Sequence, residues 1–342
     1  MPEPLSPQNT DAEVAEAYRD HIAVVTGGAG CLGSNLCRAL LAAGAAQVVV
    51  VDDLSAAARW NLPESEKLTF LEGSILDQDI LPRAFASRPA FVFHLAAFFA
   101  NQNSVDHPER DLQINGLGTL RVLQQAREAG VQRLVYASSG CSVYGSQAPL
   151  PLREDFVSLH LDTPYQITKL LGELYCNFFH RYYDLPVVRA RLFNVYGPGE
   201  IPGRYRNVIP NFLYWALHGQ PLPITGSGQE TRDFTYVGDI VAGLLRAGVL
   251  PGAVGEAINL AAGVETTVMD LAEQVNALTG NAAGIRHLER RRWDTHTRRC
   301  AAIEKAQHRL GYQPRTDFPT GLRQTLAWFQ NHQREIEQAA RF

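Results

Sequence analysis

The apolar residues of the chain follow two alternating rhythms. Short, Val-rich runs at His21–Thr26, Gln47–Val51, Leu68–Glu72, Ala90–Leu95, Arg133–Ala137 and Pro186–Leu192 predict strands. Their near-continuous apolar character is that of strands covered on both faces. Between them, Gly33–Ala43, Leu112–Ala129 and Thr163–Tyr183 repeat apolar positions with helical spacing. Strands alternating with helices imply right-handed crossovers and a parallel sheet, so the first half reads as a doubly wound α/β domain. Residues 1–20 read as a polar tail with a short helix near Asp11–Tyr18. After Tyr196 the rhythm breaks: Gly and Pro gather at 197–203 and 221–228, and the helical stretches shorten. The pattern predicts a smaller mixed α/β domain, residues 196–234 and 263–335. It is set against a first domain of 21–195, to which a segment at about 235–262 returns.

Bulk properties narrow the classes. With 342 residues and 46% hydrophobic content, the chain can bury a sizeable core. A net charge of -4 weighs against a nucleic-acid partner. No apolar run approaches the ~18 residues of a membrane span, and the polar N-terminus lacks the apolar segment of a secretory signal. The expectation is a cytoplasmic protein without membrane association. The five cysteines (Cys31, Cys37, Cys141, Cys176, Cys300) are scattered and show no zinc-type spacing, so reduced thiols and no metal site are expected.

The first strand runs into Thr26-Gly27-Gly28-Ala29-Gly30-Cys31-Leu32-Gly33, which opens the first helix. Gly27, Gly30 and Gly33 serve a tight strand-to-helix turn, a close backbone approach to a pyrophosphate and close helix–strand packing. The N–H groups at the helix start, around Cys31 and Leu32, face the phosphates with the positive end of the helix dipole. In this strand–turn–helix context the motif marks a Rossmann-type dinucleotide site. Asp52 ends the second strand, roughly 20 residues after the last motif glycine, where an acid binds ribose hydroxyls and disfavours a 2′-phosphate. NAD is the expected cofactor, with Asp53 as the rival acid. Ser74 and Ile75 end the third strand within reach of an adenine. His94, Leu95, Ala96 and Ala97 end the fourth at the edge where cofactors lie, with His94 read as a packed, hydrogen-bonded core residue.

Tyr165 and Lys169 stand four residues apart at the start of a helix whose first turn holds Pro164, on one face and one turn apart. A phenol titrates near pH ~10. A neighbouring ammonium, and the positive charge of a nicotinamide, favour its phenolate. Tyr165 can then take a proton from a hydroxyl while hydride leaves to NAD.

Together these stretches resemble the extended short-chain dehydrogenases/reductases, in particular the NAD-dependent nucleotide-sugar epimerase/dehydratase family. The resemblance runs from His21 to about Phe329. It rests on TGGAGCLG (26–33), DDLS (52–55), HLAA (94–97), Asn115 with Gly118-Thr119, SSGCSVYG (138–145), Tyr165/Lys169, RLFNVYGPG (191–199), NVIPNF (207–212), TRDFTYVGD (231–239) and RRRWD (290–294). It implies cofactor contacts also at Asn115 and Ser138. It further implies that Asn194 meets a sugar diphosphate, that Val208, Ile209 and Phe212 lie near the nucleotide base, and that Arg232 and Arg292 hold the diphosphate, as arginine's paired donors suit. It also implies a homodimer in which two long helices per subunit, Leu112–Ala129 and Thr163–Tyr183, form a four-helix bundle.

The chain departs from the family at one position. A Ser or Thr normally stands four residues before the Tyr of the V-Y-G stretch, bridging substrate hydroxyl and tyrosine; here that residue is Gly140. Ser139, Ser142 or a water is left to fill the role, and Cys141 reads as a packed thiol with proton transfer as its alternative. The family's shared first step oxidises the sugar C4 hydroxyl to a 4-keto intermediate. Ser142 stands where dehydratases and decarboxylases carry glutamate, which favours C4 epimerisation. Uronate decarboxylation, 4,6-dehydration and a non-catalytic NAD-binding protein remain the alternatives.

Overall fold

The computed structural model describes residues 6–295 and 297–342. A short helix α1 (Asp11–Glu16) precedes β1 (Ile22–Thr26), α2 (Cys31–Ala42), β2 (Gln47–Asp52) and β3 (Leu68–Glu72). Then come α3 (Ile80–Phe85), β4 (Phe91–His94), α4 (Asn101–Asp106) and α5 (Pro108–Asp111). A wider, π-helical stretch over Leu112–Gly118 leads into α6 (Thr119–Ala129), followed by β5 (Arg133–Ser139), α7 (Pro164–Tyr183) and β6 (Val187–Leu192). The second half holds β7 (Val195–Tyr196), α8 (Val208–Leu217), β8 (Leu222–Thr225), β9 (Thr231–Arg232), β10 (Thr235–Tyr236), α9 (Val237–Val249) and β11 (Ala257–Leu260). It ends with β12 (Thr266–Thr267), α10 (Val268–Thr279), β13 (Ile285–Leu288), α11 (Glu304–Leu310), α12 (Phe318–Asn331) and α13 (Gln333–Ala339).

Seven parallel strands form the central sheet in the order β11-β6-β5-β4-β1-β2-β3. The fold is therefore the expected α/β type, a Rossmann-type doubly wound sheet whose order reverses between β1 and β4. Each face carries its own apolar layer. Val25, Val48, Val50, Phe93 and Ile258 pack under α2, α9 and α11, while Val24, Val49, Val92 and Leu134 pack under α3, α6 and α7. This explains the unbroken apolar runs, since neither face of the sheet meets water. A third core, with Phe212, Leu213, Leu222, Leu271 and Phe329, holds α8, α10 and α12 together around the pair β13–β8.

Residues 6–20 do not trail free as the polar sequence suggested. Tyr18 is fully buried and its hydroxyl donates to the Leu245 carbonyl at 2.6 Å. The Arg246 guanidinium draws in the Pro7 and Asn9 carbonyls at 2.9 and 2.7 Å and the Asp11 carboxylate at 3.0 Å. The long helix expected over Leu112–Ala129 is α-helical only from Thr119, because the preceding stretch is π-helical. No helix of the described residues is long and apolar enough to cross a membrane.

Candidate active site

The carboxyl ends of β1, β2, β4 and β5 converge where the sheet order reverses. The glycine turn is sterically fixed. Gly27 sits at φ +72°, and a Cβ on Gly33 would lie 2.3 Å from the Gly27 carbonyl oxygen, so neither position tolerates a side chain. Gly30 differs: a Cβ there would meet nothing nearer than 3.5 Å, which leaves its backbone open to a ligand. Gly30 also caps α2 without a side chain, so no cap hydrogen bond takes the first N–H groups, at Cys31 and Leu32. An uncovered helix N-terminus beside a bare backbone is what a dinucleotide pyrophosphate needs, and the residues present fit NAD. Asp52 braces the turn, accepting from the Ala29 and Leu54 N–H groups at 3.0 and 2.9 Å. Asp53 instead turns within its own loop to the Ser55 hydroxyl and N–H.

Other expected cofactor residues divide. Leu95, Ala96 and Ala97 line the half-open loop after β4. Asn115 is buried and ties that loop down, accepting from the Phe98 N–H at 2.8 Å and donating to Asp111 at 2.7 Å. Ser74 caps its own turn, and the Ile75 side chain is sealed in the apolar layer beneath α3 and α6. The Ser138 hydroxyl is committed to Glu173 at 2.6 Å, behind the strand. His94 is the packed residue expected: its ring lies between the Thr26 and Thr119 hydroxyls at 2.7 and 3.0 Å, and burial pushes its pKa down to about 3.

Tyr165 and Lys169 share one face of α7, whose start is set by Thr163 accepting from the Gln166 N–H and by Pro164. The Lys169 Nζ donates to the Ala137 carbonyl at 2.9 Å, fastening α7 to the end of β5, and stands 5.7 Å from the Tyr165 ring centre. Burial pushes this lysine down to about 8, with Asp111 opposing. The expected lowering of the Tyr165 phenol does not arise from the protein alone. Burial raises it, and Asp111 and Cys141 add to the rise. Asp111, missed in the sequence, is a buried carboxylate bound by Thr168 at 2.6 Å and Asn115 at 2.7 Å. Its charge is felt by both Lys169 and Tyr165 and makes their surroundings more negative, which suits a cationic nicotinamide.

Gly140 has a steric cause. A Cβ there would lie 1.9 Å from Cε2 of the Phe193 ring, so no serine fits. Of its neighbours, Ser142 is fully buried and donates to the Ser139 Oγ at 2.9 Å. Ser139 is the partly accessible one, its oxygen already oriented from behind. The Cys141 thiol donates to Asn194 Oδ1 at 3.1 Å, which joins this loop to the end of β6.

The substrate residues expected in the second half are not all brought to one surface. Ile209 and Phe212 are sealed in the third core and only Val208 stays partly accessible, so the first two position α8 rather than face a base. Arg232 is held by Asp294 at 3.2 and 3.3 Å. Arg292 lies exposed on the turn just before Asp294. That turn is anchored by Trp293, whose Nε1 donates to Gln102 at 2.7 Å. Two buried arginines were missed. Arg191 pairs with Glu173 through two bonds of 2.9 Å. Arg299 donates to the Cys141 carbonyl. Neither stands in a spacing that signals such a contact, since both partners are distant in sequence.

Strand order and glycine turn together define a Rossmann-type enzyme that works with a dinucleotide. Residues 23–261 match the family described as NAD dependent epimerase/dehydratase, and the chain belongs to that family. As a member it takes NAD as its cofactor. Over 318 residues it is 35% identical to a UDP-glucose 4-epimerase of Mycolicibacterium smegmatis, covering 90% of this chain and 98% of the relative. An epimerase of Methanothermobacter thermautotrophicus superposes with a TM-score of 0.96 at 53% identity, covering 97% of this chain and 98% of the other. A Thermotoga maritima UDP-glucose 4-epimerase solved with UDP-glucose gives a TM-score of 0.86 at 33% identity, covering 91% and 99%.

Proposed function

We propose that the protein is a nucleotide-sugar 4-epimerase, an isomerase that works through a 4-keto sugar. The observation that carries this reading is the Tyr165–Lys169 pair on one face of α7, fastened at Ala137 beside the open end of the sheet. When bound, NAD supplies a hydride acceptor and returns the hydride. The Tyr165 oxygen takes the proton from the C4 hydroxyl as the C4 hydrogen departs, and gives a proton back when the other face of the ketone is reduced. Lys169 stabilises the phenolate form of Tyr165 that accepts this proton. Ser139, steadied by Ser142, carries the bridging hydroxyl that Gly140 cannot. Asn194, Val208, Arg232 and Arg292 are assigned to the nucleotide diphosphate.

Support for epimerisation over loss of water or carbon dioxide comes from residue 142. It is a serine sealed behind Ser139, so no carboxylate reaches C5 or C6 from that position. The substrate is taken to be a UDP-sugar, by likeness to the Mycolicibacterium and Thermotoga relatives. Anaerobic incubation with NAD and a panel of UDP-, GDP- and dTDP-sugars tests the reading. A stereoisomer of equal mass supports it. Loss of carbon dioxide or of water assigns the decarboxylase or dehydratase reading instead. Unchanged sugars leave a binding protein.

The same reading includes a second copy of this chain. Ile167, Leu174 and Phe178 are about half exposed along one face of α7, and Leu112 and Leu117 are exposed on the adjoining π-helical stretch. An apolar stripe on paired helices suits a four-helix bundle. A monomer by light scattering at micromolar concentration refutes this part. The two-domain division, with 21–195 and about 235–262 for the cofactor and the remainder for the sugar nucleotide, belongs to the same proposal, as does a cytoplasmic location.

A further inference from the structure

Two guanidinium groups and a single carboxylate meet on the flank of the candidate site. Arg232 takes both oxygens of Asp294. Arg299 is only 5% exposed and forms no ion pair among the described residues. Its Nη1 donates to the carbonyl of Cys141, and its backbone N–H donates to the Thr231 hydroxyl at 3.4 Å. The next residue upstream behaves oppositely: Arg298 points outward and is paired with Glu265. Burying a cation away from a counter-charge is unfavourable by several kcal/mol in general. Burial accordingly holds the Arg299 guanidinium below its ordinary value, with Arg232 pushing the same way.

The position of this unmatched charge is informative. Cys141 is the residue between Arg299 and the reacting groups. Its carbonyl holds Arg299, its thiol holds Asn194, and it lies near enough to Tyr165 to affect the phenol. Cys141 thus links Arg299 to the side of the site where Tyr165 would meet a sugar C4 hydroxyl. The diphosphate is already provided for by Arg232 in the proposed function, on which this inference rests.

We propose that Arg299 is a specificity-determining residue that reads a carboxylate on the sugar ring, so that the substrate is a nucleotide-linked uronic acid. A carboxylate matches the guanidinium in charge and in its paired acceptors, and supplies the anion that Arg299 lacks. A neutral hydroxymethyl group would leave that charge without a partner.

The test uses the NAD-loaded enzyme with UDP-glucuronate, UDP-N-acetylglucosaminuronate, UDP-glucose and UDP-N-acetylglucosamine. It measures kcat and KM for each, and calorimetric Kd values for the same sugars and for UDP. The wild type is expected to favour a uronate by at least about tenfold in kcat/KM, the scale of one charge-assisted contact. Arg299→Met should erase that preference mainly through KM and Kd while leaving the Kd of UDP unchanged, and Arg299→Lys should restore part of it. Three results overturn the inference: equal use of neutral sugars by the wild type, an Arg299→Met loss equal on all sugars, or a loss of UDP binding as large as the loss of uronate binding. The last would make Arg299 a diphosphate ligand. Epimerised neutral sugars with unbound uronates sink this inference alone. Bound but unconverted uronates sink the epimerase reading alone.

Discussion

Two buried arginines flank the segment Ser138–Cys141, and they are solved differently. On the inner flank Arg191 meets Glu173 through two bonds of 2.9 Å, and the same carboxylate takes the Ser138 hydroxyl. The Arg191 Nη1 also donates to the Tyr144 hydroxyl at 3.0 Å, which in turn donates to Asn259 Oδ1 at 2.6 Å. On the outer flank Arg299 has a backbone carbonyl and a share in the field of Asp294. A charge whose partners are all internal fixes the fold. A charge left short of one partner, beside reacting groups, is arranged for something that arrives.

The comparison can be broken at several points. The largest effect is expected at Tyr165, between the flanks. Tyr165→Phe removes only the phenolic oxygen and should lower kcat by roughly 10²–10⁴-fold, with the melting temperature and the NAD affinity unchanged in thermal-shift and titration measurements. Next comes the inner flank. Glu173→Ala strands the Arg191 charge and should cost about 3–5 kcal/mol in chemical denaturation. Any fall in rate should be shared by all sugars, because this flank does not face them; a change in sugar preference would contradict the division.

Gly140→Ser gives a sharper, smaller test. It supplies the hydroxyl of the family pattern, yet the new Cβ collides with Phe193. It should destabilise by about 1–3 kcal/mol, the usual range for overpacking, and should not raise kcat; a faster enzyme would show that Ser139 does not fill the role. The smallest expected effect lies at Glu200, a buried carboxylate whose Oε2 lacks a partner and whose pKa burial raises from 4.5 to about 7. Its contribution to stability is complete below its unfolded value of 4.5 and is lost as the pH rises through 7. Glu200→Gln should therefore gain on the wild type by about 1–2 kcal/mol between acid and neutral pH, read from denaturation curves across that window. Activity has its own limit: with Lys169 discharging near pH 8 in the free protein, kcat/KM should fall above that pH.

Much of the inner region is legible in the sequence, for a physical reason. Strands buried on both faces must be apolar throughout, the glycine turn must lack side chains, and a tyrosine and a lysine that act together must be four residues apart on a helix. Each is a local requirement. The outer region depends on distant segments meeting. Arg299 reaches Cys141 across 158 positions, and Asp111 joins Thr168 across 57. Apolar residues in motif context show the same dependence: Ile75, Ile209 and Phe212 are spaced like contact residues, and their side chains are drawn into cores. The π-helical stretch at Leu112–Gly118 has no signal in a pattern that reads as one long helix. Choosing Ser139 over Ser142 needed the hydrogen bond between them.

The central claim is that Tyr165 works beside NAD on the sugar C4 position, with the same hydrogen removed and returned. The most direct measurement uses a UDP-sugar carrying deuterium at C4, followed by mass spectrometry and proton NMR of both epimers at equilibrium. The account expects the deuterium to remain at C4 in both epimers, with slowed turnover, and Tyr165→Phe to leave the labelled sugar unconverted. Loss of the label to water, or inversion at any other carbon, would contradict it.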